Sequence, residues 1–405
     1  MSMTMSKPKI DVEYPDVTTK ILTFGSCHNN KSFKPGQPVI WDAISALKPD
    51  TFLWTGDTVY SSKKSGISSP ALLQEQYTQM ANNETIGYST FLSNGEVEGY
   101  LKGGVHGTWD DHDYGANDHG MQMPNRKERQ NLLLDFLGID EKDARREREG
   151  IYSSVTFGKV PQKVKVVFLD TRSARSKHCI PSVGAMPIPM ASAFACITRW
   201  ITAGLNLQEF IPRCKNGKIL DDAQWAWLEE QMLGTDAQVN ILVSSIQVLS
   251  SNPLMETWGQ FPSERNRLLS ILNKVEEGKS VVVLSGDVHH AEILDSSTGV
   301  HKSTGRTIEV TSSGLTHRSV LFIVCRESLF CQKHTYLFIA HNLPLHFELT
   351  AVAKTHFMDF FVNLSSKCGQ SIDTSISLKA ITTPEKTLVR SKSIGLGEKR
   401  GKETR

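Results

Sequence analysis

Five short apolar runs recur along the chain, and each ends in polar groups with chemical uses. "TKILTFGSCHNN" ends at Cys27 and His28, and "DTFLWTGDTVY" at Asp57 and Tyr60. "KVKVVFLDTRSAR" ends at Asp170, Arg172 and Arg175, and "VNILVSSIQ" in two serines and Gln247. "SVVVLSGDVHH" ends at Asp287, His289 and His290. Near-continuous Val, Ile and Leu predict strands covered on both faces of a sheet.

Helical spacing appears between some of these runs. In "PSERNRLLSILNKVEEG", Leu268, Ile271, Leu272 and Val275 share one helical face, with Ser263 as the expected N-cap and Gly278 as the stop. Asp221 in "DDAQWAWLEEQM" is the expected cap of another helix, with Gln224 completing a capping box. Strands alternating with helices predict an α/β fold, in which ligands gather outside the carboxyl ends of the strands. A single polar strand end is ordinary turn chemistry. Five of them carrying Cys, Asp, Tyr, His and Arg make a candidate site.

The segment "GTWDDHDYGANDHG" crowds aspartates, two histidines, a tyrosine and an asparagine into a Gly-rich stretch that reads as a loop. Any one of its acids fits an exposed loop. Together they repel one another unless a cation compensates them. Carboxylate, imidazole, phenol and thiol groups are a donor set for hard and borderline metals. Two cations sharing a carboxylate would suit displacement at phosphorus. The "DDHD" and "DVHH" letters match other phosphohydrolase motifs only trivially. A complete phosphate-binding Gly-x4-Gly-Lys-Ser/Thr loop and a Gly-x-Ser-x-Gly elbow are both missing, which leaves hydride transfer and serine hydrolysis without support.

Composition narrows the partners. A net charge of +2 offers no nucleic-acid surface, and 39% hydrophobic residues suffice for a sizeable core. Seven cysteines without regular spacing do not suggest a disulfide framework. The N-terminus lacks the apolar core of a signal peptide, so the cytoplasm is the default location. "GAMPIPMASAFACITRWITAGL" approaches membrane-spanning length, but its prolines and Arg199 argue against a membrane anchor.

Taken in order, "FGSC", "WTGDTVY", "TWDDHDYGAND", "FLDTR", "DDAQWAWLEEQM", "SSIQV", "WGQFPSERNRLL" and "SGDVHHAEI" resemble the alkaline phosphatase D (PhoD-like) metallophosphatases, in particular their eukaryotic branch. The resemblance covers roughly residues 19–175 and 220–317. It implies a calcineurin-like α/β sandwich of two β-sheets flanked by helices, with a multinuclear metal site hydrolysing phosphate esters. Ferric iron accompanied by calcium is the implied cofactor. Carried over by motif, Cys27 becomes a thiolate ligand, Asp57 a bridging carboxylate and Tyr60 a phenolate ligand. Asp111, Asn117, Asp287 and His289 complete the implied metal ligands. His112 would face the substrate as an acid for the leaving oxygen. Asp110 and Asp113 would orient the ligands. Arg172 would either clamp a phosphate oxygen or pair with Asp170. In an extended segment Asp287 and His289 would point to one side and His290 to the other, as a packed residue.

Residues 19–381 are therefore expected to form one metallophosphatase domain, after an N-terminal extension at 1–18 and before a disordered basic tail at 382–405. Segments 176–220 and 318–355 do not resemble the family and read as insertions in preference to a substrate lid or membrane-leaning patch. Beyond them, "THFMDFFVNLSSKCGQSIDTSISLKAI" reads as a closing hairpin around a Gly turn. The expected partner is a small phosphate ester, handled by a monomer. A phosphodiesterase of the same fold and a non-catalytic metal-binding relative are the alternatives.

Overall fold

The computed structural model describes residues 11–32, 40–61, 66–179, 216–250, 255–275, 279–296 and 307–316, with the backbone of five strands between 348 and 393. The strands in chain order are β1 (Asp11–Tyr14), β2 (Ile21–Gly25), β3 (Thr51–Thr55), β4 (Val105–Thr108), β5 (Ser153–Phe157), β6 (Val164–Phe168), β7 (Val239–Val243) and β8 (Ser280–Ser285). Then follow β9 (Ala291–Asp295), β10 (Ile308–Ser312), β11 (Glu348–Ala351), β12 (Ala353–Lys354), β13 (Asp359–Ser365), β14 (Ser375–Ile381) and β15 (Lys392–Ser393). The α-helices are α1 (Ile40–Ser45), α2 (Pro70–Asn82), α3 (Tyr88–Glu98), α4 (Asp111–Tyr114), α5 (Arg126–Phe136), α6 (Asp222–Leu233) and α7 (Pro262–Leu272).

Two sheets carry the architecture. One has seven strands in the order β1-β5-β6-β7-β8-β10-β9, and the other has four in the order β11-β2-β3-β4. The four-stranded sheet is parallel throughout, and so is the run β6-β7-β8-β10 at the heart of the larger one. All five apolar runs became strands, as their composition predicts.

Alternation along each strand decides which layer a side chain joins. Val166, Phe168, Ile241, Val243, Val282 and Leu284 meet Leu22, Phe24 and Leu53 in the core between the two sheets. Their neighbours Val167, Leu242, Val281 and Val283 point outward, against Trp225, Leu228 and Met232 of α6 and Leu268 and Leu272 of α7. Phe52 and Trp54 point out of the smaller sheet into a core with Trp41, Tyr77, Met80, Tyr88 and Phe91. Each fully buried aliphatic side chain contributes roughly 1.5–3 kcal/mol. The result is the expected sandwich of two sheets between helical layers, with parallel strand ends brought to one place.

Some local expectations change. Asp221 does cap α6, its Oδ1 accepting from Gln224 N at 2.6 Å. Gln224 forms no capping box: its side chain both accepts from Asp170 N (2.8 Å) and donates to Asp170 O (3.0 Å), fastening α6 to the end of β6. Helix α7 begins at Pro262, with Phe261 as N-cap and Ser263 already inside. Proline supplies the first-turn φ and needs no N–H partner there, so the helix starts one residue before the expected serine. Gly278 lies outside the described residues.

Strand pairing also reaches into the flanking segments. Strand β1, within the stretch set apart as an extension, pairs in parallel with β5 from Asp11↔Ser154 to Tyr14↔Phe157. Strand β11, within 318–355, pairs in parallel with β2 and extends the smaller sheet. Strands β13 and β14 form the expected antiparallel pair, and β15 adds two residues of the presumed tail to it. At the other unfamiliar segment, Ser176 and Lys218 close a stem: Ser176 N donates to Lys218 O (2.8 Å) and Lys218 N to Ser176 Oγ (3.0 Å). Residues 180–215 lie outside the described residues.

Candidate metal centre

The carboxyl ends of β2, β3, β4, β8 and β10 converge, and the side chains just past them form one buried polar cluster. Cys27 follows β2, Asp57 and Tyr60 follow β3, and Asp110 to Asp113 follow β4. Asp287 and His289 follow β8, and Ser313 follows β10. Cys27, Asp57, Asp110 and Asp113 have no exposed surface. Cys27 is a free thiol.

The backbone is unusual at these positions. Cys27 (φ 60°), Asp57 (φ 50°), Asp287 (φ 68°) and His289 (φ 56°) all adopt the left-handed conformation. Aspartate tolerates this region better than most residues, and cysteine does so less readily. Residues 287–290 are thus not extended, and the expected alternation of Asp287 and His289 does not hold. The tight turn brings both toward the site by another route. The acidic segment differs too: residues 111–114 form the short helix α4, with Asp110 N donating to Asp113 Oδ1 (2.6 Å).

Three donor groups share one carboxylate. Cys27, Asp57 and His289 offer ligand atoms within 4.8 Å of one another. Asp57, Asp110, Asp111 and Asp287 do the same, as do Asp57, Asp111 and His112. Asp57 belongs to all three. Its Oδ2 lies 3.6 Å from Cys27 Sγ and accepts from Tyr60 Oη at 3.0 Å, and its Oδ1 accepts from His112 N at 3.0 Å. Tyr60 Oη is also 2.8 Å from His289 Nε2. The Tyr60 and His112 rings pack at a 31° tilt with centroids 4.2 Å apart.

Electrostatics shows what the cluster needs. Burial, reinforced by Cys27, Asp111, Asp110 and Asp113, holds the Asp57 carboxyl well above the carboxylate range. Burial does the same to Asp287, with Asp110, Asp111 and Glu256 adding repulsion. Asp110 rises to about 7 and Asp113 to about 8, chiefly through burial. Burial and the Asp287 charge push the Cys27 thiol up to about 12, despite hydrogen bonds from Ser313 and Ser26. Asp110 Oδ2 and Asp111 Oδ1 are buried without hydrogen-bond partners. Asp57, Asp287, Asp110 and Asp113 are held toward their protonated forms unless a multivalent cation replaces the protons. The thiol, phenol, imidazole and carboxylate donors, with two orphaned carboxylate oxygens, fit a metal centre.

Of the sequence-derived ligands, Cys27, Asp57, Tyr60, Asp111, Asp287 and His289 are brought together. Asn117 sits half-buried just after α4, its carbonyl oxygen 3.1 Å from His119 Nδ1. Its neighbour Asp118 donates its N–H to Asp111 Oδ2 at 2.7 Å. His290 is buried beside Val288 O (3.0 Å) and Glu292, apart from these donor groups, as a packed residue should be.

Arg172 requires correction. Its guanidinium has no exposed surface: Nε and Nη2 donate to Asp110 Oδ1, and Nη1 to both oxygens of Glu256 at 3.0 Å. With every nitrogen committed to a carboxylate, it is not placed to clamp a substrate phosphate. Nor does the guanidinium pair with Asp170, which instead accepts from the Arg172 N–H (2.9 Å), from Ser173 and from Trp109 Nε1 (2.9 Å).

Glu256 and Ser313 escaped the sequence reading. Glu256 accepts from Arg172, from Arg175 Nη1 (2.7 Å) and lies 3.0 Å from His178 Nε2. Burial alone would raise its carboxyl, but Arg172, Arg175 and His178 hold it well below the usual range. Asp118, His178 and Glu256 also lie within ligand distance. The two guanidinium groups already on Glu256 supply the positive charge there, which disfavours a cation. Glu256 stands alone in a short connecting segment, with no pattern to mark it.

Comparison with known proteins bears on family and fold. The family model for PhoD-like phosphatases matches residues 104–321, more than half of the 405-residue chain. A solved structure of PhoD is similar in fold, with a TM-score of 0.50 and 14% identity, covering 91% of this chain and 70% of that one. No curated protein matches the chain. The match over more than half its length shows that this chain belongs to the PhoD-like phosphatase family, whose members are phosphatase-type hydrolases.

Proposed function

We propose that the protein hydrolyses phosphate monoesters at a multinuclear centre that takes ferric iron together with calcium. The observation that carries this reading is Asp57, one carboxylate common to a thiol–imidazole group and an all-carboxylate group. The first, Cys27 with His289 and the Tyr60 phenol beside them, has the softer donors that suit iron. The second, Asp57 with Asp110, Asp111 and Asp287, offers only hard oxygens, as calcium prefers. Asn117 would add a further oxygen on the calcium side. Bound there, the cations supply charge to offset the phosphoryl oxygens and acidify an attacking water.

The chain's own groups do the rest. His112 reaches the solvent edge, with its side chain 18% exposed and its Nδ1 lacking a hydrogen-bond partner. Its backbone is fixed by the bond to Asp57 and its ring by Tyr60, so the imidazole is held where it can return a proton to a leaving oxygen. Its Nε2 lies 3.9 Å from Asp111 Oδ1. Asp113 accepts from Asp110 N and Thr58 N (3.1 Å), tying the β3 and β4 ends together. Arg172 fixes Asp110.

Turnover of 4-nitrophenyl phosphate and bis(4-nitrophenyl) phosphate tests this, using protein loaded with iron and calcium. The monoester should be cleaved faster, and Asp57→Asn should lose metal and more than about 100-fold of the rate, the upper end of the loss for residues outside the ligand shell. Faster diester cleavage would reassign the protein as a phosphodiesterase. Stoichiometric metal without turnover of either ester would make it a non-catalytic relative.

A further inference from the structure

We propose that Ser313 is a positioning residue of the centre, which moderates electron donation from Cys27 to a bound metal and holds His289 in place. The inference rests on the reading of Cys27 as a metal ligand. Ser313 lies just past β10, has no exposed surface, and reaches both members of the thiol–imidazole group. Its hydroxyl donates to Cys27 Sγ at 3.0 Å and accepts from His289 N at 2.8 Å.

The two bonds divide the hydroxyl's capacity in a definite way. The His289 N–H occupies a lone pair, which leaves the single hydrogen for sulfur. Tyr60 and Ser26 also bring hydroxyls to Cys27. Tyr60 Oη donates to Asp57 Oδ2 at 3.0 Å, and Ser26 Oγ also faces Ser312 O, at 3.2 Å against 3.5 Å for the sulfur. Its one hydrogen serves the carbonyl at the shorter distance. Ser313 is therefore the stronger donor to the sulfur. Thr316 secures the same loop, with Asn29 N donating to its Oγ1 at 2.8 Å, so β10 and the Cys27 turn are fastened on both sides.

A hydrogen bond to a thiolate draws density from its lone pairs, weakens its donation to a metal and raises the energy of sulfur-to-metal charge transfer. The bond to His289 N acts on geometry. It fixes a residue whose φ is 56° and whose ring must meet the same metal as Cys27. One hydroxyl thus couples the two ligands.

The test is to titrate the full-length protein with cobalt(II) alone and record the sulfur-to-cobalt band, identified by its loss in Cys27→Ala. In Ser313→Ala the band should move to lower energy and cobalt affinity should fall by about 10- to 100-fold. Ser313→Thr, which keeps the hydroxyl, should restore the band position, and Ser26→Ala should move it little. Should Ser313→Ala not fold, Ser313→Cys offers a weaker donor and should shift the band the same way. An unmoved band in a folded Ser313 variant that still binds cobalt overturns the proposal. So does a larger shift in Ser26→Ala. Cobalt bound to the parent without any sulfur band removes Cys27 from the ligand set, and then the proposed centre falls as well, independently of Ser313.

Discussion

Glu256 answers two buried guanidinium groups at once. Arg172 and Arg175 both lie against it with no exposed surface, so removal of its charge takes an ion-pair partner from both and leaves Arg172 paired with Asp110. Breaking one partner of a buried pair costs about 3–5 kcal/mol. Glu256→Gln should lower the unfolding free energy by that order, read from the denaturant midpoint at constant slope, and should weaken metal binding because Asp110 loses its anchor. An unchanged midpoint would show that the three groups are already well solvated. At this scale the sequence was informative where a donor directly followed an apolar run, as with Cys27, Asp57 and Asp287. It was silent on Glu256, whose partners come from Arg172, Arg175 and His178, about 80 positions away in the chain. Arg172 was given the wrong neighbour, because its partner Asp110 arrives from a different strand end.

Elements were more legible than contacts. Strands β2, β3, β6, β7 and β8 follow from composition, because a parallel strand covered on both faces must be apolar throughout. The turn after β8 was not legible, since alternation assumes an extended backbone and residues 287–290 abandon it. Gly286 lets that happen. A Cβ built there would lie 2.4 Å from Ser26 Oγ, 2.8 Å from Ser26 Cβ and 3.0 Å from Thr55 O. The ends of β2, β3 and β8 can approach one another only across a residue without a side chain. Gly286→Ala should therefore force these three ends apart, lowering the melting temperature by several degrees and reducing bound metal per chain. A variant that melts like the parent and keeps its metal would mean that Ser26 moves aside at little cost.

Across the whole molecule, the two-sheet sandwich sets how pH acts on stability. His106 on β4 meets Tyr14, Phe157 and Phe168, with ring centroids 5.8–6.4 Å away, and its Nε2 lies 2.7 Å from Gly103 O. Burial, aided by Arg145, lowers its pKa to about 4. The folded state therefore binds fewer protons than the unfolded chain between pH about 4 and the ordinary value near 6.5. Its contribution is complete above that ordinary value and is lost as pH falls through about 4. Subtracting the melting profile of His106→Phe from that of the parent should isolate a slope within this window. Parallel profiles would assign the acid sensitivity of the fold to other groups.

The left-handed backbone at Cys27, Asp57, Asp287 and His289 has a consequence for how such a chain can change. Glycine would occupy any of these four positions with less strain, and at Asp287 it would also remove a carboxyl that burial disfavours. Without a cation, then, part of the molecule's stability lies on the side of losing its donors. Each of these side chains persists against a local preference for its absence, and the centre can be kept only by selection for what it binds.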